Sequence, residues 1–113
     1  MSDSPVDIAV AFIETLPRQD MAAASRYLAE DVIFEGPMTR FSAAGPYLEA
    51  MGEFSKAVAG VDIVASIGDD ERAMVVYEMR TEPFGTLRAM EYFTVRDGRI
   101  RTDMLVFDTH ELR

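Results

Sequence analysis

The stretch Leu87-Arg88-Ala89-Met90-Glu91-Tyr92-Phe93-Thr94-Val95-Arg96-Asp97-Gly98-Arg99-Ile100-Arg101-Thr102-Asp103-Met104-Leu105-Val106-Phe107 consists of two alternating runs around one turn. Residues two apart share a face of a strand, so Leu87–Val95 and Ile100–Phe107 read as strands. Between them, the Asp-Gly pair of Arg96-Asp97-Gly98-Arg99 tolerates the positive φ angles of a two-residue hairpin turn. The two strands are therefore expected to pair antiparallel, with the register fixed at the turn.

Upstream, the same period of two runs through Val61–Ile67 and Ala73–Thr81, with turn residues between the runs, so four strands in a meander are expected. Before Gly60 the period becomes helical. Ser4-Pro5-Val6-Asp7 has the form of a helix start, with a capping hydroxyl, Pro at the first position and an acid at the positive end. Val6, Ala9, Val10, Ile13 and Leu16 follow at helical spacing, and Pro17 marks the stop. Asp20 can cap a second short helix with Met21, Ala24 and Leu28 on one face. Val32-Ile33-Phe34-Glu35 reads as a short strand ended by Gly36-Pro37. A third helix is expected from Gly45 or Pro46 to Ala59, striped by Leu48, Met51, Phe54 and Val58 and ended by Gly60. Helices gathered at the start of the chain and strands at its end give an α+β domain, with the helices covering one face of the sheet. No linker, repeat or low-complexity segment divides residues 1–113, so a single domain is expected.

Composition narrows the function classes. A chain of 113 residues can bury roughly two-thirds of its unfolded surface, enough for a core without staples. There is no Cys and only one His, so disulfides, thiolate nucleophiles and Cys-based metal sites are excluded, and no metal is expected. A net charge of −9 with scattered Lys and Arg argues against nucleic acid and anionic membranes. No apolar run is long enough to span a bilayer or to form a signal-peptide core, which leads to the expectation of a cytoplasmic protein. GxGxxG, phosphate-loop and GxSxG motifs are all absent, so chemistry without a cofactor is what remains.

Glu91 is the first candidate for that chemistry. It alternates with Leu87, Ala89, Phe93 and Val95, the more apolar face of its strand, where a carboxyl loses hydration and gains proton affinity. That suits a general acid, while a place at the sheet edge or a pairing with Arg is the bland alternative. Glu78 alternates with Val76 and Arg80 and reads as part of a polar ladder. His110, near the end of the sequence, reads as exposed. Tyr27, Tyr47 and Tyr77 can each donate a hydroxyl, with Tyr47 and Tyr27 the better candidates. Phe12, Phe34, Met38, Met51, Phe54 and Phe93 fall in core-facing runs that suit either a plain core or an apolar pocket. Tyr27, Tyr47, Val76 and Leu105 complete the candidate pocket wall. A second face with Val75, Tyr77, Met79, Met90, Tyr92, Met104 and Val106 is too apolar to stay in water, which predicts a homodimer through the outer sheet.

The order of elements, with Tyr27-Leu28-Ala29-Glu30-Asp31 leading into Val32-Ile33-Phe34-Glu35-Gly36-Pro37, then Glu91-Tyr92-Phe93 and Asp97-Gly98-Arg99-Ile100, resembles the nuclear transport factor 2-like superfamily. Its SnoaL-like polyketide cyclases and ketosteroid isomerase are the branch in question. The resemblance implies a cone-shaped curved antiparallel sheet packed against three N-terminal helices, an apolar chamber for a hydrophobic small molecule, and a dimer. It places Asp103 inside the cone, where SnoaL-like cyclases have an acid/base Asp, and Glu91 where the isomerase keeps a protonated Asp. Two carboxyls facing one apolar chamber separate into an acid and a base, able to move a proton between carbons. The isomerase base falls at Gly36 and its hydroxyl donor at Phe12, so that enzyme's own mechanism is not implied. The expected function is acid/base catalysis of isomerase, cyclase or dehydratase type on a hydrophobic carbonyl or polyketide-like ligand. A non-catalytic binding or dimerisation module is the alternative.

Overall fold

The computed structural model describes residues 3–82 and 84–107. Helix α1 spans Pro5–Arg18, α2 Met21–Arg26 and α3 Ala44–Ser55; strands β1 to β6 span Leu28–Glu35, Arg40–Phe41, Val58–Gly68, Arg72–Thr81, Gly85–Arg96 and Arg99–Phe107. The six strands form one curved sheet in the order β2-β1-β6-β5-β4-β3, and the three helices cover its concave side.

The capping sequence acts as written. Ser4 Oγ accepts from the Asp7 amide at 3.2 Å and Asp7 returns the bond to the Ser4 amide at 3.4 Å, which satisfies two of the free donors at the start of α1. Pro17 does not end the helix, because it stands in the last turn; Gln19, in the left-handed region at φ 55°, closes it one residue past Arg18. From α1, Ile8, Ala9, Phe12, Ile13 and Leu16 face the sheet. Gly68 lies where α1 crosses β3, and a Cβ there would collide with Val6 and the backbone of β4.

The turn at Asp97-Gly98 takes φ angles of 54° and 75°, with Arg96 paired to Arg99, as a two-residue hairpin requires. The meander β3-β4-β5-β6 is antiparallel throughout. The short strand expected over Val32–Glu35 is longer, beginning at Leu28, and lies parallel to β6. Leu28 thus belongs to β1 rather than to the apolar face of the second helix. The third helix ends at Ser55, short of Ala59, because Val58 already pairs with Thr81 in β3. The position of His110 lies outside the described residues.

In β4 and β6 the side chains face in ways that simple alternation does not give. In β4 it is Ala73, Val75, Tyr77 and Met79 that point into the core, and Met74, Val76 and Glu78 that point out. Val75, Tyr77 and Met79 therefore leave the outer face, and Val76 leaves the candidate pocket. In β6 alternation is interrupted: Thr94 pairs with Thr102 but Val95 with Ile100, so Arg101 is an extra residue. This bulge lets Ile100 and Asp103, three apart, both face inward.

Candidate functional site

Glu91 and Asp103 are buried, 4% and 2% exposed, on the concave face of β5 and β6. Glu91 pairs with Leu105 and Asp103 with Phe93, so the two carboxyls are diagonal neighbours on one face. Each also receives a phenol: Tyr47 from α3 donates to Asp103 Oδ2 at 2.6 Å, and Tyr77 from β4 donates to Glu91 Oε1 at 2.6 Å. Tyr47 is held by its ring, which stacks on Phe34 at 4.3 Å and lies 6.1 Å from Phe12.

The proton inventory of this cluster is constrained. Asp103 Oδ1 is the one buried side-chain oxygen among the described residues without a fixed donor. The group that meets Asp103 beside Tyr47 is the Glu91 carboxyl, and two carboxylates cannot hydrogen-bond unless one holds a proton. Burial raises the proton affinity of both. For Asp103 the effect is reinforced by the nearby Glu91 charge and by its hydrogen bond to Glu91, which lift it well above the usual carboxylate range. For Glu91 the hydrogen bonds from Asp103 and Tyr77 offset part of the effect of burial, and its proton affinity stays raised. Asp103 therefore holds the shared proton more firmly than Glu91 does. Burial also raises both phenols, Tyr47 further beside Asp103 and Tyr77 beside Glu91, so both remain donors.

A raised folded-state proton affinity has a definite consequence for stability. The contribution is fully present below the ordinary carboxylate range and is lost as pH climbs through the raised values, because the buried pair must then ionise. Asp103→Asn supplies an amide that still accepts from Tyr47 and donates to Glu91 without titrating. Its thermal midpoint is expected to fall less steeply than the wild type between pH 4 and 9 and to exceed it at the alkaline end. A scan of midpoint against pH for both proteins checks this, and parallel curves would contradict the shared proton.

Above the carboxyls lies a cavity of about 220 Å3. Phe12, Ile13 and Leu16 of α1, Tyr47, Met51 and Phe54 of α3, and Tyr77, Met79, Glu91 and Leu105 of the sheet line it, with Gly36–Thr39 and Phe41 near β2. Of the sequence candidates, Phe12, Phe34, Met38, Tyr47, Met51, Phe54, Leu105 and Glu91 meet at this cavity. The others stand elsewhere. Phe93 is fully buried beneath it, edge-on to Phe12 at 6.2 Å, and Asp103 sits behind Glu91 rather than on the wall. Tyr27 is half-buried at the end of α2, where its carbonyl accepts from the Ile100 amide at 2.7 Å. Val76 is on the outer face. Tyr77 is the residue that sequence reasoning ranked too low: the parity of the β4-β5 hairpin, Thr81 opposite Gly85, puts it on the same face as Glu91. Glu78 is the ladder residue expected, bound by Arg88 at 2.9 Å.

Among the described residues no helix is long and apolar enough to cross a membrane. No curated protein matches the sequence. Among solved structures, a Kribbella flavida protein superposes with a TM-score of 0.92 at 28% identity, over 98% of this chain and 92% of its own. An NTF2-like protein from Cytophaga hutchinsonii gives 0.85 at 19% identity, over 99% and 96%. A Sinorhizobium meliloti protein put forward as a polyketide cyclase gives 0.78 at 23%, over 88% and 93%. These likenesses establish a curved-sheet fold of the NTF2-like type. The SnoaL-like domain model matches residues 9–102, most of the chain, and the protein belongs to that family.

Proposed function

We propose that this domain is a cofactor-independent acid/base enzyme acting on a hydrophobic carbonyl compound, with Glu91 as base and Asp103 as the acid behind it. The observation that carries the reading is Asp103 Oδ1, buried without a fixed donor beside Glu91, the carboxyl on the wall of an apolar cavity. Such a pair is unstable as two anions and serviceable as one base and one acid. In the proposed step Glu91 takes a proton from the carbon next to the carbonyl, and the C–H electron pair moves into an enolate. Where the ketone is β,γ-unsaturated, the enolate extends over that double bond and return of the same proton to its far carbon gives isomerisation; attack of the enolate on a second carbonyl carbon opens that C=O to an alkoxide, which takes the proton back from Glu91, and gives cyclisation. The experiment is protein-dependent exchange of ketone α-protons for deuterium, followed by NMR over a panel of cyclic and aryl ketones. No exchange with any of them would favour the second reading, a non-catalytic ligand-binding module. That reading draws on Gly36 and Phe12, which stand at the cavity where the isomerase would need its base and its hydroxyl.

The same proposal includes a homodimer through the outer sheet. There Met74, Met90, Met104, Val106 and Ile67 are 43–71% exposed, and the pairings Ile67-Met74-Tyr92-Met104 and Val76-Met90-Val106 join them into one row across four strands and one across three. Scattered apolar side chains need no explanation, but a contiguous patch of this kind supports association with a second copy. Light scattering at micromolar concentration is expected to give twice the chain mass, and Met90→Glu to give a folded monomer. A monomeric wild type would contradict it.

A further inference from the structure

The cavity is small for a ligand site. Its volume of about 220 Å3 lies below the roughly 300–1,000 Å3 of sites that hold drug-sized ligands, and an apolar cavity of about 150 Å3 is enough to hold benzene. One ring with a short substituent fits that space; fused polycyclic skeletons do not. The polar side chains on its wall are the exposed Thr39 and the buried Tyr47, Tyr77 and Glu91. Both phenols are already engaged, Tyr47 by Asp103 and Tyr77 by Glu91, so the buried group left to meet a ligand is the Glu91 carboxyl. A carboxylate without a facing cation, deep in apolar walls, repels a second anion strongly because little solvent screens it. Among the described residues each ion-paired Arg or Lys has its side chain at least 42% exposed, so none is buried with this carboxyl.

We infer that the cavity takes an uncharged ligand of one ring, with the C–H beside its carbonyl directed at Glu91, and excludes anionic and polycyclic compounds. This deepens the acid/base reading and rests on it for the charge state of Glu91; the size limit rests on the cavity alone. Phe54 of α3, half-buried on the wall, is the residue that sets the limit on the helix side. Its removal opens the chamber with less cost to folding than loss of the fully buried Phe12.

Calorimetric titration at pH 7 with acetophenone, benzoate and a four-ring steroid ketone tests the assignment. Acetophenone is expected to bind at least about tenfold more tightly than benzoate or the steroid. Glu91→Gln is expected to gain benzoate binding, and Phe54→Ala to admit the bicyclic ketone 1-tetralone more tightly than wild type does. Tighter binding of benzoate or the steroid than of acetophenone by the wild type would overturn the inference, as would no binding of acetophenone. The two readings fail separately: size- and charge-selective binding without deuterium exchange would remove the catalysis and leave the ligand class. Exchange on polycyclic ketones would do the reverse.

Discussion

Glu91→Gln is expected to reduce the rate of ketone proton exchange by about a hundred- to ten-thousandfold, the usual contribution of a positioned general base. The amide keeps the shape of the side chain and can still accept from Tyr77, so the protein is expected to fold, and thermal unfolding of the variant confirms that the loss is chemical. Wild-type activity should rise with pH as Glu91 ionises, with its midpoint above the ordinary carboxylate range because burial raises it. The apparent value belongs to the Glu91–Asp103 pair rather than to either residue. Asp103→Asn replaces the acid by a permanent donor, so it should shift this acid limb while retaining part of the rate. Equal loss in both variants would show that Asp103, and not only Glu91, exchanges protons with the ligand. An unchanged rate in Glu91→Gln would remove the carboxyl from the chemistry.

The largest effect on folding is expected at Phe93. Its ring is fully buried, packs edge-on against Phe12, and lies on β5 directly opposite Asp103. Phe93→Ala removes most of that side chain from a region that cannot collapse without moving α1 off the sheet, at a cost of about 3–5 kcal/mol. For a domain whose total stability is of the order of 5–15 kcal/mol, the loss brings unfolding close to physiological temperature. Urea unfolding of the Ala and Leu variants measures it, with Leu expected to retain most of the stability. A loss under about 1 kcal/mol for Ala would mean that the core refills around the missing ring.

The hairpin at Asp97-Gly98 was legible because one residue pair demands one backbone geometry. The helices were legible because their apolar positions recur at a helical spacing, and Ser4 and Asp20 cap them as their side chains suggest. The errors fall where local pattern is silent. Val75 and Val76 are adjacent and both apolar, so alternation alone cannot say which faces inward; the count of residues through Thr81 and Gly85 decides it. Leu28 suits a helix face and a strand alike, and only its parallel pairing with Ile100 settles the matter. Glu91 stood out as a carboxyl in an apolar row. Its partners did not, since Tyr47 comes to Asp103 across 56 residues of chain and no spacing rule reaches that far.

The extra residues in the strands carry a consequence of their own. Arg101 in β6, Val64 in β3 and Ala59 at the start of β3 each oppose no partner, and such insertions bend and twist a sheet. The depth of the chamber is thus partly a matter of how many residues each strand contains, independent of which side chains form its wall. A lineage carrying this fold can alter the size of what it holds by losing one codon at Val64 or Ala59 in β3, which leaves Glu91, Asp103 and both phenols in place, whereas loss of Arg101 would break the shared inward facing of Ile100 and Asp103.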